Sequence, residues 1–240
     1  MLRLQTNIPH VRQKYNWDCG LACVQMVLKR LFPDSFSETD FETVCEQQGF
    51  GTSVWTIDIA NVLTYYKADY MFYTETLGVD LGYQDNPFYQ DTFDMDEVRV
   101  NRLFSSATDL GIKVEKRTIT LDEICVHLNK GCVAIVLINN LSLSCNWCGR
   151  SLNQLRYLMH RYCGGCNEYN KYMGHYIVIC GYDLEKKCFY YKNPSYNIEL
   201  CCVSFRSFEE AWHCYGTDSD ILFVNTENAT DHEAYEEHNG

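Results

Sequence analysis

The chain changes its hydrophobic rhythm about halfway along. In "GLACVQMVLKRLF" the apolar side chains Leu21, Val24, Val27, Leu28 and Leu31 fall on one face at helical spacing. "SETDFETVCEQQG" starts on a serine or threonine cap and stops at Gly49, so it predicts a second helix. "SVWTIDIANVLTYYKA" predicts a third, capped near Ser53 or Thr56, and "DEVRVNRLFSSATDLG" a fourth ending in glycine. "DYMFYTETL" between them reads as a strand, and the aromatic stretch 83–93 as a loop whose rings pack.

Beyond residue 112 the runs shorten and become β-branched or aromatic. "IKVEKRTI", "CVAIVLIN", "GHYIVICGYD", "CFYYKNP" and "DILFVN" predict strands of an antiparallel sheet. "TLDEICVHLNKG" predicts a short helix with a threonine cap and a glycine stop, and "SFRSFEEAWHCYG" a helix before the last strand. Helices first and strands afterwards imply an α+β domain with segregated layers. The expected organisation is one domain over 1–226, an insertion at 144–171 and a solvated tail at 227–240. That tail, "ENATDHEAYEEHNG", has five acidic residues, no Lys or Arg and little to bury.

Composition narrows the partners. The 240 residues are 46% hydrophobic, enough to fill a core. A formal net charge of −12 disfavours a nucleic-acid binder, which needs a basic face for phosphates. No apolar run reaches membrane-spanning length. Fourteen cysteines without a secretory signal point to a reducing compartment, cytoplasmic or also nuclear. A peptide or protein is the expected partner, with no nucleic acid and no membrane; the oligomeric state is not legible.

In a reducing compartment a cysteine serves as core, metal ligand or nucleophile. Cys19 lies at the expected start of the first helix, where orphan N–H groups and the dipole favour a thiolate. Gly20 beside it permits a close approach. His175 begins a strand after Gly174, and Asn193 ends the next strand eighteen residues on. Two adjacent antiparallel strands would bring those ends together, so the asparagine carbonyl can fix the imidazole tautomer. Gln13, on the lead-in, can offer an amide N–H to an oxyanion beside the Cys19 N–H. The plain alternative makes Cys19 a buried core residue, as Cys23 one turn later is expected to be.

A second cysteine pattern occupies the insertion. Cys145-x-x-Cys148 and Cys163-x-x-Cys166 have the spacing of a structural zinc site, since each pair can bind from one turn and four thiolates close the tetrahedron. The bland alternative is unligated thiols, or disulfides in an oxidising compartment. Arg150, Arg156, Arg161 and Lys171 make the insertion basic within an acidic chain. Cys201, Cys202 and Cys214 read as buried thiols.

Gln-x5-Cys-Gly-x-Ala-Cys opening a helix, Gly-His on a strand and Asn-Pro ending the next resemble the papain-like superfamily, in particular its bacteriocin-processing, C39-like branch. Over residues 8 to 225, "YNWDCGLAC", "SVWTIDIA", "TLGVDLGY", "GHYIVICGY" and "YGTDSDILFV" also resemble the eukaryotic guanylyl cyclase domain-containing family. The first resemblance implies a papain-like fold with Gln13, Cys19, His175 and Asn193 in oxyanion, nucleophile, base and orienting roles. The C39-like branch usually has aspartate at the orienting position, where this chain has Asn193; papain-type proteases use asparagine.

The expected function is amide cleavage by a cysteine hydrolase. A non-catalytic papain-like binding module and the cyclase of the family label are the alternatives. For the cyclase, the sequence offers no Walker-type phosphate loop and no clear carboxylate pair on adjacent strands, and "DMDE" at 94–97 reads as an acidic helix start.

Overall fold

The computed structural model describes residues 3–49, 51–147 and 172–227. Its first half supplies helices whose boundaries follow their capping chemistry. Helix α1 spans Cys19–Leu31 and buries nearly all of its first ten residues. Helix α2 (Glu38–Gln48) starts where the Ser37 side chain accepts the Asp40 N–H and stops at left-handed Gly49. Helix α3 (Thr56–Tyr65) has its N-cap at Trp55, between the two expected positions, because the Asp58 carboxylate reaches back 2.8 Å to the Trp55 N–H. Helices α4 (Phe93–Ser105) and α5 (Ala107–Leu110) complete this half. Arg99 of α4 pairs with the buried carboxylates Asp58 and Asp96 and so ties α4 to the start of α3.

The strands are β1 (Arg3–Gln5), β2 (Tyr70–Thr74), β3 (Val114–Lys116), β4 (Cys132–Asn139), β5 (Gly174–Asp183), β6 (Cys188–Lys192), β7 (Cys201–Ser204) and β8 (Ile221–Asn225). They form one sheet in the order β3-β2-β8-β4-β5-β6-β7, with β1 added beside β5. The C-terminal strands β4 to β8 pair antiparallel as expected, while β2, from the first half, pairs in parallel with β3, Phe72 opposite Val114, joined by the crossover through α4 and α5. Helices α6 (Leu121–Asn129), with a Thr120–Glu123 capping box, and α7 (Phe205–Trp212) follow the expected runs.

Helices cover both faces of the sheet, which explains why β4 and β5 read as unbroken apolar runs. On one face α1 and α3 pack on Val133, Ile135, Tyr176 and Val178. On the other, Leu128 of α6 and Phe208 and Trp212 of α7 pack on Val136, Ile177 and Phe189. The longest strand, β5, is shared along one edge: β4 pairs with Gly174–Ile179 and β1 with Gly181–Asp183. At Gly181 an added Cβ would stand 2.3 Å from the Leu4 carbonyl oxygen, so only glycine admits β1 there.

Among the described residues no helix is long and apolar enough to cross a membrane. Residues 148–171, most of the expected insertion, and 228–240, nearly all of the expected tail, lie outside the described residues.

Candidate active site

Helix α1 packs closely against β5 at Gly20. A Cβ on residue 20 would come within 2.9 Å of Ile59 Cδ1 and 3.0 Å of the Tyr176 ring, so the absent side chain lets the helix start rest against the strand. The backbone N–H of Tyr176, the residue that follows His175, and that of Gly20 lie near enough to the Cys19 thiol to offset part of its burial. No side chain caps α1. The Asp18 carboxylate turns back to accept the N–H groups of Lys14 (3.0 Å) and Tyr15 (2.9 Å), which fixes the loop before the cysteine.

His175 and Asn193 meet as expected from their strand ends. The ring Nε2 lies 2.9 Å from Asn193 Oδ1. The Ser195 backbone N–H donates to the same oxygen at 3.0 Å, which identifies it as the carbonyl oxygen. An acceptor there requires the proton on Nε2 and leaves Nδ1 with the lone pair, the arrangement of a general base. Ser195 Oγ lies 3.4 Å from Nε2 and donates to Gln13 Oε1 at 2.8 Å, so the serine links the histidine to the lead-in segment. The Gln13 backbone N–H donates to the Pro194 carbonyl at 3.0 Å, and His10 Nε2 lies 3.1 Å from the Asn193 carbonyl oxygen.

The fold thus gathers Gln13, Cys19, His175 and Asn193, but two details differ from expectation. Gln13 Nε2 donates to the Tyr15 carbonyl at 2.6 Å, so its amide is engaged in the loop and not held out toward an oxyanion. Cys19 was expected to be favoured as thiolate by its helix start. Burial wins instead: removal from water pushes the thiol up to about 11, despite the Tyr176 and Gly20 N–H groups, with Asp18 adding to the rise. Burial likewise lowers the His175 imidazole to about 4, against the Asn193 bond, which favours its charged form. No hydrogen bond joins Cys19 to His175. At neutral pH the resting pair is thiol and neutral imidazole, and moving the proton between them is uphill because burial disfavours both charged forms.

Of the four cysteines read as zinc ligands, Cys148, Cys163 and Cys166 lie outside the described residues. Cys145 lies inside them, half-buried against the second core, and the Asn146 N–H donates 2.7 Å to the Cys202 carbonyl of β7. Among the described residues no three His, Cys, Asp or Glu side chains converge as metal ligands. Cys23, Cys201 and Cys202 are buried as expected, whereas Cys214 is half-buried, its sulfur 3.2 Å from the donor Asn139 Nδ2. The aromatics of 83–93 do pack: Tyr83 stacks on Tyr89 and Tyr89 on Tyr172. Ser195 is the residue sequence reasoning missed; its place two residues after Asn193 was the only signal.

Replacing Asn193 by aspartate puts a carboxylate against Nε2, which favours imidazolium. Asn193→Asp is expected to raise the His175 pKa by about one unit or more in an NMR titration of the ring. An unchanged titration would mean that residue 193 does not hold the ring.

A family model described as guanylylate cyclase matches residues 8–224. The curated protein Guanylyl cyclase 1 of Arabidopsis thaliana is 34% identical over 231 residues, which cover 95% of this chain and 79% of that protein. A solved structure of a C39-like peptidase from Bacillus anthracis overlays with a TM-score of 0.51 at 12% identity, covering 92% of this chain and 96% of the other. That second likeness is one of fold.

Proposed function

We propose that this chain, which belongs to the guanylylate cyclase family and is built on the fold of C39-like peptidases, is a cysteine hydrolase acting on a peptide or other amide. The observation that carries the reading is the His175–Asn193 bond of 2.9 Å beside a helix start that carries Cys19. In the proposed reaction the Cys19 sulfur attacks the amide carbon while His175 Nδ1 takes the thiol proton. The C–N bond then breaks and His175 returns that proton to the departing amine. Water attacks the thioester, its proton passes to His175, and the acid leaves as the thiol reforms. The Cys19 N–H supports the oxyanion, joined by Gln13 once its amide leaves the Tyr15 carbonyl. Because both groups are buried and neutral at rest, substrate binding has to open the site before this transfer can occur.

A second reading follows from the family and from the name of the Arabidopsis relative: conversion of GTP to its cyclic monophosphate, with Cys19 as a core residue. One experiment separates the two. The full chain is incubated with a panel of fluorogenic peptide amides, and in parallel with GTP and Mg²⁺. Hydrolysis that falls at least about a hundredfold in both Cys19→Ala and His175→Ala is the expected result, since removing either member of such a pair disables it. Cyclisation of GTP that survives Cys19→Ala, with no amide hydrolysed, contradicts the hydrolase and supports the cyclase. Neither activity contradicts both and leaves a papain-like binding module.

We also propose that Cys145, Cys148, Cys163 and Cys166 hold a structural zinc. The support is their spacing and the anchoring of residue 146 on β7, which fixes the root of the insertion. Zinc there would brace the insertion and take no part in a chemical step. Elemental analysis of protein purified without chelator is expected to give one zinc per chain, lost in Cys163→Ser/Cys166→Ser. Zinc-free protein of unchanged stability would refute it.

A further inference from the structure

Beyond the Tyr176 hydroxyl lie polar groups that the cysteine site does not use. The Tyr176 hydroxyl lies 2.9 Å from Thr56 Oγ1, at the start of α3. Past Thr56 stand Asp218 and Asp220, in the turn that leads into β8. Asp218 and Ser219 both adopt left-handed backbone, with φ of 48° and 49°. The turn is fixed from several sides: the Asp220 carbonyl accepts the Leu137 N–H at 3.2 Å and Trp212 Nε1–H at 3.3 Å, and Asp218 Oδ1 accepts the Tyr83 hydroxyl at 2.9 Å.

The Asp220 carboxylate is the anomaly. The residue is 7% exposed, and its Oδ1 is buried with no hydrogen-bond partner. An orphaned buried carboxylate oxygen is costly enough that native structures rarely keep one without a guest. Both aspartates line a cavity of about 10 Å³, bordered also by Thr56, Thr74 and Thr76, which is room for a single water-sized occupant. Among the described residues neither aspartate forms an ion pair. The other charges that bear most on them, Glu75 and Asp80, are themselves acidic. Burial raises the Asp218 carboxyl to about 6 and lifts Asp220 well above the ordinary range; neighbouring acidic groups add to both shifts, and the hydroxyls of Thr56 and Thr74 (on Asp220) and of Tyr83 and Thr76 (on Asp218) offset only part of them.

We propose that Asp218 and Asp220 bind one small divalent cation, with hydroxyl oxygens of the bordering threonines as further ligands. The donors are all oxygen, which suits a hard ion such as Mg²⁺, Mn²⁺ or Ca²⁺ and not a thiolate-seeking metal. The site differs from the cysteine insertion in position and in ligand chemistry, and it stands whether or not Cys19 turns over. The sequence hides this pair: Asp-Ser-Asp before a strand reads as a turn, and only the left-handed pair at 218 and 219 gathers the two carboxylates at one cavity.

The test uses the full chain, stripped with EDTA and titrated with Mn²⁺ by electron paramagnetic resonance of the free ion. One saturable site per chain is expected, weakened at least about tenfold in Asp220→Asn and in Asp218→Asn. The exposed helix-start variant Asp94→Asn should bind as wild type does, which controls for Mn²⁺ gathering on an acidic surface. Thermal denaturation gives a second readout: Mn²⁺ should raise the wild-type Tm and leave that of both turn variants where it was. The proposal is overturned if wild type has no saturable site, or if all four proteins bind alike. It is also overturned if Asp220→Asn is the more stable protein in the presence of Mn²⁺, since the carboxyl would then be holding a proton and not a metal.

Discussion

The close approach of α1 to β5 at Gly20 is the constraint on which the site depends. The helix start can lie this close to the strand only because residue 20 has no side chain; a Cβ there would crowd Ile59 and Tyr176. That approach brings the Cys19 thiol near the Tyr176 N–H, one residue from His175, and Cys19 and His175 are both buried. The lead-in segment then closes over the strand ends through Gln13 to Pro194 and His10 to Asn193. Geometry and burial therefore come from one source.

Two opposing electrostatic effects meet at Cys19. The uncapped helix start and two backbone N–H groups favour the thiolate, while loss of water disfavours it, and the loss of water is the larger. The same burial keeps the imidazole uncharged. A preformed thiolate–imidazolium pair needs a wetter cleft than this one. At rest the Cys19–His175 pair is accordingly uncharged, with the imidazole held by Asn193, and the proposed hydrolysis requires the site to open.

Much of this was legible in the chain because it is written in local chemistry. Caps such as Ser37 and Thr120, stops such as Gly49, and the apolar runs of β4 and β5 announce their elements directly. The meeting of His175 with Asn193 followed from two strands and a turn. Other features depend on tertiary context. Strands β1 and β7 have three and four residues and gain their identity from the neighbours they pair with. The parallel β2–β3 pair is set by a crossover that no periodicity encodes. The shift of Cys19 reverses the local expectation because burial is a property of the whole packed layer. Ser195 enters through a fold-back that Asn-Pro alone does not specify.

The neutral resting pair is tested most directly by the pH dependence of Cys19 alkylation. Native wild type and His175→Ala are treated with iodoacetamide from pH 5 to 10, and each cysteine is read by mass spectrometry. The account predicts a Cys19 rate that climbs through pH 9 without a plateau, with the two proteins agreeing within about twofold, since only the thiolate reacts and His175 does not create it at rest. A plateau below pH 7 in wild type that His175→Ala abolishes would reveal a standing thiolate–imidazolium pair and contradict the account.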